Sequence, residues 1–253
     1  MICINNIEEL ENRIFCEDCI SDELNIGINK IPDESINLII TDPPYLHEKG
    51  GRGKFLTSEA LDRKQFNMKQ LGNFGEKEIY NFLNKTQRLM KKPQWYIFCS
   101  EKQIVYYLKW CLESKYKYNI LTMNKPLSIL NRERYSTNIE YIIRIYSKGC
   151  ALNKLDLKNN PEQSHYYSKY KQISKIKNKI HPSQKPDYVI KQILEVSTKK
   201  NDIILDLYTG SGTIPLECIK SDRKFIAFDN GLDEKTNRYW SEIAQKRINT
   251  YIK

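Results

Sequence analysis

The apolar run "SINLII" at 35–40 is followed at once by Thr41-Asp42-Pro43-Pro44-Tyr45. Each proline fixes φ and lacks an N–H, so two in succession hold the carbonyls of Asp42 and Pro43 in a stiff, extended arrangement outside helical pairing. Together with the Asp42 carboxylate they make a rigid group of acceptors beside an aromatic ring. Such a group suits an exocyclic amine of a nucleobase, whose lone pair is delocalised into its ring and is a poor nucleophile. Accepting both N–H groups draws the nitrogen toward tetrahedral geometry and frees the lone pair to attack a methyl carbon, with Tyr45 stacked on the base. The same four residues, Asp42, Pro43, Pro44 and Tyr45, would also serve a plainer purpose, as a Pro-Pro turn closing a strand with Asp42 capping a helix and Tyr45 packed in the core.

A second constellation follows the run "IILDL". In "DLYTGSGT", residues 206–213, Gly210 and Gly212 permit a tight turn that brings backbone N–H groups against a ligand, and Ser211 and Thr213 add hydroxyls at the start of a helix. This arrangement favours an anionic group such as a carboxylate. The next apolar run, "RKFIAF", ends on Asp229, where an acid is placed to accept hydrogen bonds from both hydroxyls of a ribose. Pro215 stands where a third glycine would complete a dinucleotide fingerprint, which disfavours a nicotinamide cofactor.

Both constellations need strands that end side by side. Short apolar runs lie near 13–16, 36–41, 95–99, 118–123, 139–146, 202–207 and 224–228, separated by helical-length segments at 76–91, 101–114, 186–198 and 239–250. This alternation predicts an α/β fold with a Rossmann-like, seven-stranded, mostly parallel sheet covered by helices on both faces. In open sheets of this kind, ligands sit beyond the carboxyl ends of the strands. Within 101–114, Ile104, Tyr107, Leu108 and Cys111 recur at helical spacing and predict one apolar face. Residues 46–75, with five glycines among charged residues, and residues 150–180, rich in lysine and tyrosine, depart from the alternation and read as excursions from the sheet.

A chain of 253 residues with 40% hydrophobic content can bury one sizeable core, so a single domain over 1–253 is expected. The net charge of +10 favours a polyanionic partner, although a solvated basic surface has the same composition. Seven scattered cysteines and no amino-terminal hydrophobic segment suit a reducing compartment, hence the cytoplasm. Cys16 and Cys19 form a lone C-x-x-C with no second pair, so they are expected to be packed thiols and no metal is expected. No apolar run is long enough to span a bilayer.

With these residues in place, the chain resembles the S-adenosylmethionine-dependent amino-methyltransferases of DNA, in the permuted group whose catalytic motif precedes its cofactor motif. "TDPPY" is similar to the catalytic motif, "HPSQKP" at 181–186 to the segment before the cofactor strand, "ILDLYTGSGT" to the cofactor loop, "AFD" at 227–229 to the ribose-binding strand end, and "YWSEIAQKRI" at 239–248 to the closing helix. The resemblance implies that Asp206, Tyr208, Gly210, Ser211, Gly212 and Thr213 surround the methionine portion of S-adenosyl-L-methionine, that Lys185 reaches its carboxylate, and that Asp229 takes the ribose hydroxyls. "CEDC" at 16–19 resembles the element near the adenine, with Asp18 as the hydrogen-bonding acid and Glu17 in place of the usual glycine. Asp42 is expected near the methyl donor as well as the amine. Glu140 is expected to stabilise structure, and His181 to order its loop, because the amine becomes acidic only after methyl transfer and needs no strong base before it.

An amine inside a duplex is paired and stacked, so the base must be flipped out or met on a single strand. The resemblance places a small target-recognition segment at 150–180. There Lys169, Lys171, Lys175 and Lys177 could meet phosphates while Tyr166, Tyr167 and Tyr170 stack on bases. Lys49, Arg52 and Lys54 in the glycine-bearing loop after "DPPY" form the other expected DNA contact. An aspartate opening the catalytic tetrapeptide is typical of N6-adenine enzymes, whereas N4-cytosine enzymes typically carry serine. N4-cytosine methylation remains the nearest alternative, methylation of RNA a more distant one, and a silent DNA-binding specificity subunit the rival from another class. The sequence leaves monomer and homodimer open.

Overall fold

The computed structural model describes residues 6–46, 74–129, 137–153, 169–171, 180–181, 184–233 and 236–252. Eight strands form the main sheet: β1 Arg13–Phe15, β2 Leu38–Thr41, β3 Gln94–Cys99, β4 Lys117–Ile129, β5 Thr137–Tyr146, β6 Lys169–Lys171, β7 Ile203–Asp206 and β8 Lys224–Phe228. A two-stranded ribbon, β9 Leu232–Asp233 with β10 Arg238–Tyr239, stands apart. The main-sheet order is β1-β8-β7-β2-β3-β5-β4-β6. Pairing is parallel from β1 through β3 and antiparallel on both sides of β5. The seven expected strands are present and mostly parallel. The three-residue β6 adds an edge strand, parallel to β4 with Thr122 opposite Lys169 and Asn124 opposite Lys171, inside the segment expected to be an excursion from the sheet.

Five α-helices lie among the described residues: α1 Glu76–Thr86, α2 Ile104–Glu113, α3 Asp187–Ser197, α4 Thr213–Lys220 and α5 Trp240–Ile252. The stretches expected as helices at 76–91 and 101–114 are each part α and part 3₁₀, with 3₁₀ turns at Gln87–Leu89 and Glu101–Gln103. On α2, Tyr107, Trp110 and Cys111 are buried while Ile104 and Leu108 are half-buried, so the apolar face is centred nearer Trp110 than the spacing suggests.

Alternation along the strands divides the core in two. Ile39, Trp95, Ile97, Ile143, Leu205 and Ile226 pack on one face with Ile79, Phe82 and Leu83 of α1 and Tyr107 and Trp110 of α2. Leu38, Ile40, Tyr96, Phe98, Ile142, Ile204 and Phe225 pack on the other with Val189, Ile190, Ile193 and Leu194 of α3, Ile214 and Cys218 of α4 and Ile248 of α5. Strands buried on both faces read as continuous apolar runs, which is why they were visible in the sequence. Among the described residues no helix is long and apolar enough to cross a membrane.

The chain leaves β2 in one direction along the sheet, toward β3, and leaves β7 in the other, toward β8. The reversal between β2 and β7 opens a crevice at the carboxyl ends of these strands, the place where open α/β sheets bind ligands. Thr41 joins the two ends, its Oγ1 accepting the Leu207 N–H at 3.3 Å.

Candidate functional site

The crevice gathers three carboxylates from three neighbouring strands: Asp42 after β2, Asp206 at the end of β7 and Asp229 after β8. They are close enough for Asp206 to feel both of the others. Each is held differently.

Asp42 is held by side chains. Lys185 Nζ lies 2.6 Å from Asp42 Oδ2 and 3.1 Å from Glu140 Oε1. The same Glu140 oxygen accepts the Tyr45 hydroxyl at 2.8 Å. The Lys185 ammonium also stands 5.1 Å from the ring centroids of both Tyr45 and Phe98, within range of their π faces. Burial works against the lysine's charge, yet the two carboxylates hold its pKa above the ordinary range. Burial likewise pushes Asp42 up, opposed by Lys185, and pushes the Tyr45 phenol well above its ordinary value. Asp42 Oδ1 is enclosed without a hydrogen-bond partner among the described residues.

Gln103, fully buried at the start of α2, fixes the motif from below. Its Nε2 donates to the carbonyls of Pro44 and Phe74, both at 2.9 Å, while its Oε1 accepts from the Ser100 N–H at 3.0 Å and hydroxyl at 2.9 Å. All the polar capacity of this amide is used by protein groups, as burial requires. Phe74 then packs edge-on against Tyr208 at 5.9 Å, so the catalytic-motif side and the glycine loop share a wall.

Asp229 is held by backbone. Its Oδ2 accepts the Gly210 N–H at 2.7 Å and its Oδ1 the Gly231 N–H at 2.8 Å. Burial raises its pKa and these two bonds oppose the rise. Gly210 and Gly212 take φ of +49° and +74°, the left-handed region that favours glycine. A Cβ on Gly212 would lie 2.8 Å from the Cβ of Ala244, so α5 packs directly on the turn. Arg247 of α5 donates to the Ser211 carbonyl at 3.0 Å and the Thr213 hydroxyl at 3.1 Å. The His181 ring lies over Gly210 and meets Trp240 edge-on at 4.3 Å, an arrangement that packs the loop.

Asp206 is held least. The Tyr208 N–H donates to its Oδ1 at 3.3 Å, and its Oδ2 has no partner among the described residues. Burial pushes its pKa up to about 7, a shift to which Asp229 and Asp42 add. A buried, half-satisfied carboxylate is a receptor for a cation.

Beside β1, the turn expected near an adenine is closed by Gly27, where a Cβ would stand 2.3 Å from the Asp18 carbonyl. Glu17, at the position where the resembled family carries glycine, ion-pairs with Lys30 at 2.8 Å and accepts the Gly27 N–H at 3.0 Å, tying the turn together. Asp18 is exposed, with Oδ1 accepting the Ile20 N–H at 3.0 Å. Cys19 is buried and its thiol hydrogen-bonds the Tyr208 side chain, whereas Cys16 is exposed, so only one of the two is a packed thiol.

Several of the expected site residues have protein partners in the folded chain. Lys185 faces Asp42 and Glu140, because a buried ammonium needs carboxylates around it. Ser211 and Thr213 face Arg247, and Tyr45 is bonded to Glu140. Gln103 and Arg247 carried no sequence signal: each lies far along the chain from what it holds. Lys49, Arg52, Lys54, Tyr166, Tyr167, Lys175 and Lys177 lie outside the described residues, and Lys169, Tyr170 and Lys171 are described by backbone alone.

A family model described as DNA methylase matches residues 36–237. The type II methyltransferase M2.LlaDCHI of Lactococcus lactis subsp. cremoris is 28% identical over 88% of this chain and 85% of its own length. The DNA adenine methyltransferase YhdJ of Escherichia coli (strain K12) is 25% identical over 80% of this chain and 74% of its own. Among solved structures, the M1.HpyAVI–SAM complex superimposes with a TM-score of 0.61 at 22% identity, over 93% of this chain and 98% of that one, a likeness of fold.

Proposed function

The chain belongs to the DNA methylase family, and from that premise we propose that it is a single-domain, site-specific methyltransferase acting on the N6 amino group of adenine in duplex DNA. The observation that carries this reading is the Asp42-Pro43-Pro44 turn beside the glycine loop at the β2/β7 crevice, with acceptor capacity on Asp42 that the described residues leave unused.

The residues present fit S-adenosylmethionine. Its ammonium suits the orphaned Asp206 oxygen, its ribose hydroxyls suit Asp229, and its adenine suits the turn at Asp18. When bound, the cofactor supplies an electrophilic methyl carbon on a sulfonium. Asp42 and the Pro43 carbonyl accept the two N–H groups of a flipped adenine and orient its lone pair outward. Once the nitrogen carries the methyl group, one of its protons leaves to the Asp42 side. Gln103 keeps the Pro44 peptide from turning, which holds the preceding carbonyl in place. Tyr45, half-buried beside Asp42, would stack on the flat base.

An aspartate at position 42 and a relative named as an adenine methyltransferase favour adenine over cytosine. Lys49, Arg52, Lys54, Lys169, Lys171, Lys175 and Lys177 would neutralise phosphates, and Tyr166, Tyr167 and Tyr170 would stack beside the gap left by the flipped base. The enzyme would work in the cytoplasm, as a type II modification activity like its relatives. Incubation with methyl-labelled S-adenosylmethionine and mixed-sequence duplex DNA, followed by digestion to nucleosides, tests the reading. Label should appear in N6-methyldeoxyadenosine. Label in N4-methyldeoxycytidine would reassign the base, and cofactor binding without transfer would leave a silent specificity subunit.

A further inference from the structure

We propose that Lys185 and Glu140 are opposed positioning residues for Asp42, the lysine holding its carboxylate ionised and fixed, the glutamate limiting how strongly the lysine does so. The proposal rests on the reading of Asp42 as the acceptor for the target amine.

The geometry is a connected set of contacts. Asp42 Oδ2 meets Lys185 Nζ at 2.6 Å, the same nitrogen meets Glu140 Oε1 at 3.1 Å, and that oxygen accepts the Tyr45 hydroxyl at 2.8 Å. Lys185 and Glu140 are 8% and 6% exposed at their side chains, so water screens these contacts little. Two carboxylates compete for one ammonium. Lys185 therefore cannot neutralise Asp42 fully, and Asp42 keeps charge to offer a donor N–H. The tyrosine hydroxyl donates to the same Glu140 oxygen, which offsets part of the glutamate's charge and keeps it from drawing the lysine away. An acceptor that must remain anionic, yet not be quenched by a tight one-to-one ion pair, is served by this sharing.

Among the described residues, titratable groups reach Asp42 from several elements: Lys185 from the loop before α3, Glu140 from β5, Tyr45 from its own turn, Cys99 from β3, Tyr107 from α2 and Asp206 from β7. Lys185 is the one cation among these. Removing it leaves burial and the neighbouring carboxylates unopposed, and Asp42 must rise. Removing the charge on Glu140 takes away a repulsion and gives Lys185 wholly to Asp42, which must fall.

The test is the titration of Asp42 by carbon NMR in the full chain labelled at aspartate carboxyls, the resonance assigned by its loss in Asp42→Asn. Lys185→Met should move the midpoint up by about 1 to 3 pH units and Glu140→Gln should move it down by about 1 unit. The acid limb of kcat/KM for methyl transfer should follow in the same two directions, with S-adenosylmethionine affinity within about twofold of the parent in Glu140→Gln, an exchange of nearly equal shape. Midpoints that stay put, or move the same way in both variants, would overturn the proposal. So would a Lys185→Met chain that loses cofactor affinity while Asp42 titrates unchanged, since the lysine would then serve the cofactor. If the midpoints move as expected but the parent chain methylates no DNA, the electrostatic pairing stands and the assignment of the reaction fails.

Discussion

The two halves of the crevice are held by different means. On the β2 side, Asp42 is fixed by side chains drawn from positions 140 and 185, far along the chain and buried together. On the β7/β8 side, Asp229 is fixed by the N–H groups of Gly210 and Gly231, and the loop's shape comes from left-handed glycines. A group that takes part in chemistry gains from neighbours whose charge can tune it. A group that only holds a ligand gains from backbone, which cannot ionise. The contrast teaches that the first half is sensitive to charge changes and the second to shape changes.

The largest effect should come from the charged half. Asp42→Ala removes both the orienting acceptor and the local proton acceptor, and should lower methyl transfer about 10³- to 10⁴-fold while the fold persists. Single-turnover measurement with saturating cofactor and DNA checks this, and activity within a few-fold of the parent would dissolve the distinction between the halves. Gly212→Ala is the matching break in the shape-controlled half. A residue at φ +74° whose new Cβ meets Ala244 at 2.8 Å should cost about 3 kcal/mol, read as a lowered denaturant midpoint. A midpoint equal to the parent's would mean that α5 yields easily.

Asp229→Ala should weaken S-adenosylmethionine binding by about 1 to 3 kcal/mol in calorimetric titration, because ribose and loop lose the same acceptor. Asp229→Asn, which still accepts one N–H, should lie between this variant and the parent. The smallest effect sharpens the boundary between the halves. Burial pushes the Asp206 carboxyl up to about 7 in the folded chain, from an ordinary value near 3.8. Its protonated form is favoured by folding, so this group's contribution to stability is full at low pH and is lost as pH rises through 7. A cationic ligand reverses the preference, because it binds the ionised form. Cofactor affinity should therefore improve as pH rises from about 6 to about 8, by roughly tenfold at most, and the slope should vanish in Asp206→Asn. A flat profile in the parent chain would place the cofactor's ammonium elsewhere.

The sequence exposed those features that are local. Continuous apolar runs marked β2, β3, β7 and β8, since strands covered on both faces carry few polar residues to interrupt them. "DPPY" and "GSGT" were legible because proline and glycine impose conformation on their own peptide. What was hidden is what the chain assembles over distance. Gln103 reads as one more polar residue at a helix start until the carbonyls of Pro44 and Phe74 arrive at its amide. Glu140 reads, with Arg144, as one of two charges in a mostly apolar strand, and nothing near it names Lys185 as its partner. Three-residue β6 has too few positions to show a period, so its backbone pairing with β4 was invisible amid lysines.

The reversal of β5 within an otherwise parallel neighbourhood carries a consequence for how the chain can vary. A parallel strand brings its last residues to the crevice, but β5 runs the other way and brings its first, with Met123 opposite Glu140 and Cys99 opposite Tyr141. Successive residues of a strand point to opposite faces, so inserting or deleting one residue between Glu140 and Tyr146 would either turn the carboxylate to the wrong side of the sheet or turn Ile142, Ile143 and Ile145 out of their layers. Within β5 the chain must therefore keep count residue by residue for Glu140 to meet Lys185.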